Sequence, residues 1–340
     1  MAVGPLKKRV EQRILSTLVS FRRFTSAKRG AIFIEQNHEF KNTILLIGSG
    51  RGGTTWLAEL INADNTFRYV FEPFHPHRVK EFAQFRNRQY LRPENDDPRY
   101  LHPTALALSG RIRNDWCDQY NRRLFCSRRL VKDIRLGLLV GWIQAHFPQI
   151  PIVTIIRHPC AVAASRLFNK RPTQFELEDI LSQNQLIEDW LTPFIPTIRT
   201  ARTDFERQVA IWCIETLLPL RTLSKNSLVI FYEHLCIEPR TEIDRLCSYL
   251  QLNSSKRMLQ QLSKPSSQIR KGASAIDLGQ DPVTLWRQHI DQQAVQRAFE
   301  ILDAFGLTYL YASDGMPRLS GQDVLAKVPS TPLVQSGLSD

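Results

Sequence analysis

The sequence predicts an α/β chain with a P-loop-like three-layer fold, a central, mostly parallel five-stranded sheet flanked by helices. Three observations lead there. Short apolar or β-branched runs alternate with longer stretches of helical spacing. The first central run, Ile44 to Ile47, passes into a six-residue turn, Gly48 to Gly53, that holds four glycines and one arginine. A later run, Ile150 to Ile156, ends in a second polar turn, Arg157-His158-Pro159.

Residues 1 to 40 carry Lys7, Lys8, Arg9, Arg13, Arg22, Arg23, Lys28 and Arg29 against three glutamates. Val10, Ile14, Leu18 and Phe21 fall at helical spacing, so an amphipathic basic helix is expected. It would pack on the domain or touch a membrane surface. The main domain is read as residues 41 to 311. Ile44 to Ile47 is its first strand, and Thr54 to Ile61 its first helix. Phe67 to Phe71 is the second strand, ending at Glu72-Pro73. Residues 75 to 125 are polar, basic and rich in Pro and Asn with few clear periods. They read as an irregular insertion on the acceptor side. Leu130 to Lys132 ends a third strand, and Leu136 to Phe147 follows as a helix. Ile150 to Ile156 suits a central parallel strand, with a helix over Ala161 to Leu167. Residues 176 to 191 and 205 to 223 read as longer amphipathic helices. Leu228 to Tyr232 is the fifth strand, followed by a helix over Arg240 to Leu250. Residues 312 to 340 read as a loose tail.

With 340 residues, 43% apolar and 23% charged, the chain has a globular composition. The net charge of +12 calls for anionic partners. Nucleic acid is the default under such a charge, but a phosphorylated donor and an acidic acceptor suit it equally. Six cysteines show no C-x-x-C spacing, so no metal site is expected. Cys117 and Cys126 form the one pair that could be bridged. No apolar run approaches the ~18 residues that span a bilayer, and no signal-peptide pattern opens the chain. A soluble, cytoplasmic protein is the expectation.

A strand, a glycine turn and a helix N-terminus together form an anion site, because free N–H groups converge there and the helix dipole favours negative charge. Three readings compete. Gly48, Gly50 and Gly53 satisfy G-x-G-x-x-G, with Glu72 about 20 residues on, as in NAD- or FAD-dependent oxidoreductases. Gly48, Gly53, Thr54 and Thr55 nearly satisfy a nucleoside-triphosphate loop, but Thr54 stands where lysine belongs. In the third reading Arg51 supplies the cation.

Arg51-Gly-Gly-Thr-Thr-Trp56 resembles the 5′-phosphosulfate loop of sulfotransferases that use PAPS, 3′-phosphoadenosine 5′-phosphosulfate, as donor. Arg157-His-Pro-Cys-Ala-Val-Ala-Ala-Ser165 matches the family's second turn, in which an Arg, and a Ser eight residues later, hold the 3′-phosphate. Arg gives a bidentate, charge-assisted grip on such a group. Arg270-Lys271-Gly272 is similar to the segment that closes over that phosphate in cytosolic members. Tyr232-Glu233 resembles a Tyr-Glu-Asp turn whose Tyr lies near adenine, with His234 here in place of the Asp. Trp56 matches the residue that stacks on adenine. The resemblance implies that Gly52, Gly53, Thr54 and Thr55 hold the 5′-phosphate. Arg51 and Lys132 would then steady the transferred group and the leaving phosphate. No metal is implied, and the expected partners are the donor and a hydroxyl acceptor rather than nucleic acid.

The acceptor oxygen must lose a proton during transfer, so a base should lie within hydrogen-bond reach. Cytosolic members carry Lys-Thr-His after the third strand, whereas here Lys132-Asp133-Ile134 lacks the His. Tyr69-Val-Phe-Glu72-Pro73-Phe74 resembles the carbohydrate branch, where a Glu is the base. Glu72 is therefore the candidate base, its pKa expected to be raised by partial burial, with His75 and His77 in reserve. The carbohydrate branch fits best, with some cytosolic features, and a sugar hydroxyl of a polysaccharide or glycolipid is the expected acceptor.

Overall fold

The computed structural model describes residues 32–169, 173–267 and 279–327. Most of the basic lead, Arg270-Lys271-Gly272, and residues 328–340 of the tail lie outside them. A two-stranded parallel ladder joins β1 (Ile34–Glu35) to β4 (Phe125–Cys126). The main sheet has the order β3-β5-β2-β6-β7 and is parallel throughout. Its strands are β2 (Thr43–Gly48), β3 (Arg68–Phe71), β5 (Arg129–Asp133), β6 (Ile152–Ile156) and β7 (Leu228–Phe231).

The apolar runs become strands because both faces of the sheet are covered. On β2, Ile44 and Leu46 face one core, with Trp56, Leu57 and Leu60 of α1 (Thr54–Ile61). Leu45 and Ile47 point the other way, into a larger core. That core holds α3 (Val140–His146), α4 (Pro159–Phe168) and the buried α5 (Asp204–Thr222). Beyond β7 the chain continues into α6 (Tyr232–Ile237) and α7 (Pro239–Leu250). The strand order opposes a dinucleotide site. In the Rossmann arrangement the second strand lies beside the first, whereas here β5 separates β3, and with it Glu72, from β2.

Three expectations need correction. Residues 75 to 125 are irregular only in part. They contain α2 (Pro98–Leu108), capped by the Asp97 side chain with Pro98 opening the first turn. Val79, Phe82, Phe85, Leu91 and Ile112 from the same stretch are buried in the larger core. Pro103 inside α2 masks its helical reading. The helix expected over 176–191 is broken after Leu181 and passes through a π-turn at Ile187–Leu191. The tail is anchored as far as Lys327: Tyr311 bridges to Pro317, and the helix Gly321–Lys327 packs on β7. A Cβ on Gly321 would lie 2.1 Å from the Val229 carbonyl, so only glycine permits that approach. All six cysteines are free, Cys117 and Cys126 included. Among the described residues no helix is long and apolar enough to cross a membrane.

Arg68, fully buried at the start of β3, ties the 109–118 region to the sheet. It donates to Asp118 at 3.0 Å and to the carbonyls of Gly110 and Ile112 at 2.6 Å each. Glu35 accepts a longer bond of 3.3 Å. Removing one member of such a network strands buried charge, a loss of about 3–5 kcal/mol. Arg68→Met should lower unfolding stability by that order in urea titrations, and an unchanged midpoint would refute the assignment.

Glu233 is buried where β7 gives way to α6. It accepts the His158 N–H at 2.9 Å and the Tyr311 hydroxyl at 2.8 Å. Burial pushes its carboxyl up to about 7, from an ordinary 4.5. A carboxyl raised in the folded state stabilises the fold while protonated. That contribution is complete below pH 4.5 and lost as pH climbs through about 7. Glu233→Gln should flatten this decline and leave the variant more stable than wild type at pH 8. Melting curves from pH 5 to 8 that stay parallel for the two proteins would show the carboxyl is not responsible.

Candidate active site

The C-terminal ends of β2 and β6 place two strand-to-helix turns side by side. The register pairs Gly48 with Ile155, so Arg157 follows two residues beyond the point where the first turn departs. In that first turn Gly52 N–H closes onto the Ser49 carbonyl at 2.9 Å. Gly53 adopts φ 94° as the N-cap of α1, and a Cβ there would lie 2.7 Å from the Tyr232 ring. Arg51 also takes a positive φ, 75°, which is unfavourable for a side-chain-bearing residue. The N-cap of α1 is Gly53, which has no side chain to offer the helix, and a helix N-terminus is a place where backbone amides favour an anion.

The two turns are joined through their arginines. Arg51 Nε donates to Ser165 Oγ at 3.0 Å, across 114 residues of sequence. Arg157 donates to the Arg51 carbonyl at 3.4 Å and to the Pro282 carbonyl at 3.0 Å, and its guanidinium lies 4.2 Å from the centre of the Tyr232 ring. Tyr232 in turn packs against Trp56, with centroids 5.4 Å apart. Arg51, Arg157, Ser165, Tyr232 and Trp56 thus form one cluster. Trp56 is only 6% exposed, which makes it a wall of the core more than a free stacking surface.

Glu72 sits at the same end of the sheet, just past β3. Its N–H donates to the Lys132 carbonyl at 2.7 Å, and Asp133 of β5 pairs with Ile47 of β2. Its carboxylate binds Lys132 Nζ at 2.6 Å and Arg135 at 2.8 Å. Burial alone would raise the Glu72 carboxyl, but Lys132 and Arg135 outweigh it and hold the group below the ordinary glutamate value. The expected rise is therefore not found: the side chain is buried, yet its two cations come with it. Lys132 is likewise fully buried and engaged on Glu72 rather than directed at an open space.

His75 is half-buried edge-on to Trp116, at 5.5 Å between centroids. Burial and then Arg135 lower it to about 4, so it is neutral at physiological pH. His77 is exposed. Among the described residues no cluster of three or more His, Cys, Asp or Glu could hold a metal ion.

Several residues around the turns escaped the sequence reading. Arg135, the residue after Lys132-Asp133-Ile134, carried no assigned role. Glu215 accepts the Ser49 hydroxyl at 2.7 Å, and Arg166 donates to the Gly50 carbonyl at 3.0 Å. A lone carboxylate in the apolar run from Val209 to Leu220 was the available signal for Glu215.

Comparison with known proteins bears on the whole arrangement. Residues 43–256, more than half of the chain, match the sequence model of the sulfotransferase family. Among solved structures, the sulfotransferase domain of the Synechococcus PCC 7002 olefin synthase is similar at 16% identity. The alignment covers 81% of this chain and 98% of that one, with a TM-score of 0.44. The sulfotransferase domain from the curacin biosynthetic pathway aligns at 14% identity, 81% and 98% coverage, and a TM-score of 0.40. A mouse sulfotransferase, SULT7A1, solved with PAP aligns at 13% identity, 84% and 90% coverage, and a TM-score of 0.41. A search of curated proteins finds no match. A parallel five-stranded sheet with a basic glycine turn, matched across its core by the family's own pattern, makes this chain a member of the sulfotransferase family.

Proposed function

We propose that the protein transfers a sulfuryl group from PAPS to a hydroxyl acceptor, a sugar of a polysaccharide or glycolipid, as in the carbohydrate-type branch of the family. The observation that carries the donor assignment is the union of Arg51, Ser165 and Arg157 from two turns more than a hundred residues apart. The residues fit such a donor on structural grounds. Arg157 Nε and Trp56 Nε1 are buried without a hydrogen-bond partner among the described residues. A Cβ on Gly53 would lie 2.7 Å from the Tyr232 ring, so glycine is what lets the turn's backbone approach the aromatic wall of the site.

PAPS supplies the sulfuryl group and its leaving phosphate. Arg51, the amides of residues 53 to 55 and the Thr54 and Thr55 hydroxyls hold the 5′ side, through fixed dipoles and charge, while Gly52, its N–H on the Ser49 carbonyl, shapes the turn around it. Arg157 and Ser165 hold the 3′-phosphate, and Tyr232 and Trp56 bound the adenine side. Arg270, Lys271 and Gly272 would complete the grip from outside the described residues. Glu72 takes the acceptor proton, with His75 and His77 as the other bases within the same stretch. Its low pKa makes it a weak base while both cations are on it. Drawing Lys132 toward a second anion would leave the carboxylate with one cation fewer and make it more basic. The acceptor class rests on the likeness of Glu72-Pro73, Lys132-Asp133-Ile134-Arg135-Leu136 and Arg157-His158-Pro159 to the carbohydrate branch.

Calorimetry with adenosine 3′,5′-bisphosphate (PAP), set against AMP, NAD and ATP, tests the donor site. PAP should bind tightest, and a preference for NAD or ATP would overturn the reading. Arg157→Ala removes charge-assisted bonds of about 1.5–3 kcal/mol. It should weaken PAP roughly 10- to 100-fold while barely changing AMP, and equal losses for both would remove Arg157 from the 3′ side.

Once an acceptor is found, Arg51→Ala should abolish turnover. Glu72→Gln should reduce it by about 10²- to 10⁴-fold, the range of general-base catalysis, with PAP affinity nearly intact. Full activity in Glu72→Gln would hand the proton to His75 or His77.

A further inference from the structure

Beneath the glycine turn lies a buried charge network that the donor assignment does not use. Glu215, midway along α5, is 7% exposed. One of its oxygens accepts the Ser49 hydroxyl at 2.7 Å and Arg166 Nη2 at 2.6 Å. Arg166, from α4, reaches on through Nε to the Gly50 carbonyl at 3.0 Å, and through Nη1 to Gln208 at 3.0 Å. The other Glu215 oxygen accepts Arg88 Nε. Two consecutive turn residues, Ser49 and Gly50, are thus held from below, one by a carboxylate and one by the arginine paired to it. Burial opposes ionisation of Glu215, yet Arg166 and Arg88 outweigh it and hold the carboxyl down at about 2. Glu215 is therefore ionised at neutral pH.

Arg88 belongs to the 75–125 stretch, and its neighbour Asn87 faces the other half of the site. Asn87 Oδ1 accepts Arg135 Nε at 2.8 Å, and Arg135 is one of the two cations on Glu72, at 2.8 Å. Consecutive residues therefore connect to the Ser49–Gly50 turn on one side and to the Glu72 carboxylate on the other.

We propose that Glu215 is a positioning residue for donor binding: with Arg166 it sets the placement of the Ser49–Gly50 end of the turn, and Arg88 transmits the state of the acceptor-side stretch to it. The inference rests on the reading of that turn as the donor site. An anion held by backbone amides tolerates little displacement of them, so a turn left free to shift loses affinity without any lost contact to the ligand.

The test uses the full chain, PAP as the probe, and thermal melting alongside calorimetry. Ser49→Ala deletes only the hydroxyl link from a half-buried loop position. It should bind PAP about 5-fold or more weaker with nearly the wild-type melting temperature. Glu215→Gln should lose at least as much affinity, and the Ser49→Ala/Glu215→Gln double variant should bind no worse than Glu215→Gln alone. Arg88→Gln, a change at the Glu215 oxygen opposite the one on Ser49, should also weaken PAP, and should add nothing in the Glu215→Gln background.

A merely structural Glu215 would lower the melting temperature and leave PAP affinity of the folded protein unchanged. That result, wild-type affinity in Ser49→Ala, or losses that multiply in the double variant, would overturn the positioning role. Wild-type affinity in Arg88→Gln would overturn the transmission. If the wild-type protein itself fails to bind PAP, the donor reading falls first and the positioning role falls with it. Normal wild-type binding with an indifferent Ser49→Ala would sink this inference alone.

Discussion

The in-register parallel pairing of β2 with β6 is the constraint on which the site depends. Parallel strands carry their following turns to the same edge of the sheet, and adjacent ones bring those turns within side-chain reach. Gly48 opposite Ile155 therefore puts Arg51 and Arg157 into one cluster despite their separation in sequence. A register slip of one residue would reverse which side chains face each core. The buried alternation of Ile44 and Leu46 against Leu45 and Ile47 is what forbids it. The apolar core on both faces thus fixes the spacing of two cations that belong to neither core.

Charge is distributed unevenly over the site. Among the described residues Arg157 is held by two backbone carbonyls and an aromatic face, neutral partners that leave its charge available to an anion. Lys132 and Arg135 instead share Glu72, and together the three carry one net positive charge in a buried setting. The first arrangement favours tight holding of a dianionic group. The second ties the acidity of a carboxylate to where its cations lie: moving either one away from Glu72 would raise the pKa of its carboxyl.

Legibility in the sequence followed the range of the interactions. The β2 turn and α1 were readable because local geometry demands them: only glycine fits against Tyr232 at position 53, and an apolar run must end before it. The Arg157-to-Ser165 spacing was readable because both residues lie on one turn and one helix. The Glu215 network was not, since its bonds join residues 49, 88, 166 and 215, which no local pattern connects. Residues 75 to 125 were misread for a related reason. Their apolar side chains fill gaps in a core built by other elements, so they obey no period of their own. The lowered pKa of Glu72 was illegible because it depends on Lys132 and Arg135 together, each at least sixty residues away in sequence.

Backbone strain gives a last link between the two halves. Among the described residues four other than glycine have positive φ, and two of them are Arg51 and Glu72. Each such residue is destabilising by about 1–3 kcal/mol and persists only where its surroundings over-determine it. Arg51 is bracketed by the Ser165 hydroxyl, the Arg157 guanidinium on its carbonyl, and the Gly50 carbonyl fixed by Arg166. Glu72 is bracketed by its N–H bond to β5, the Trp116 indole on its carbonyl, and two cations on its carboxylate. In both places the side chain's own partners hold the unfavourable backbone, so the charges are aimed by the same contacts that keep the turn in shape. A variant that relaxed either backbone would redirect the charge with it, which is why rigidity and chemistry cannot be separated at these two positions.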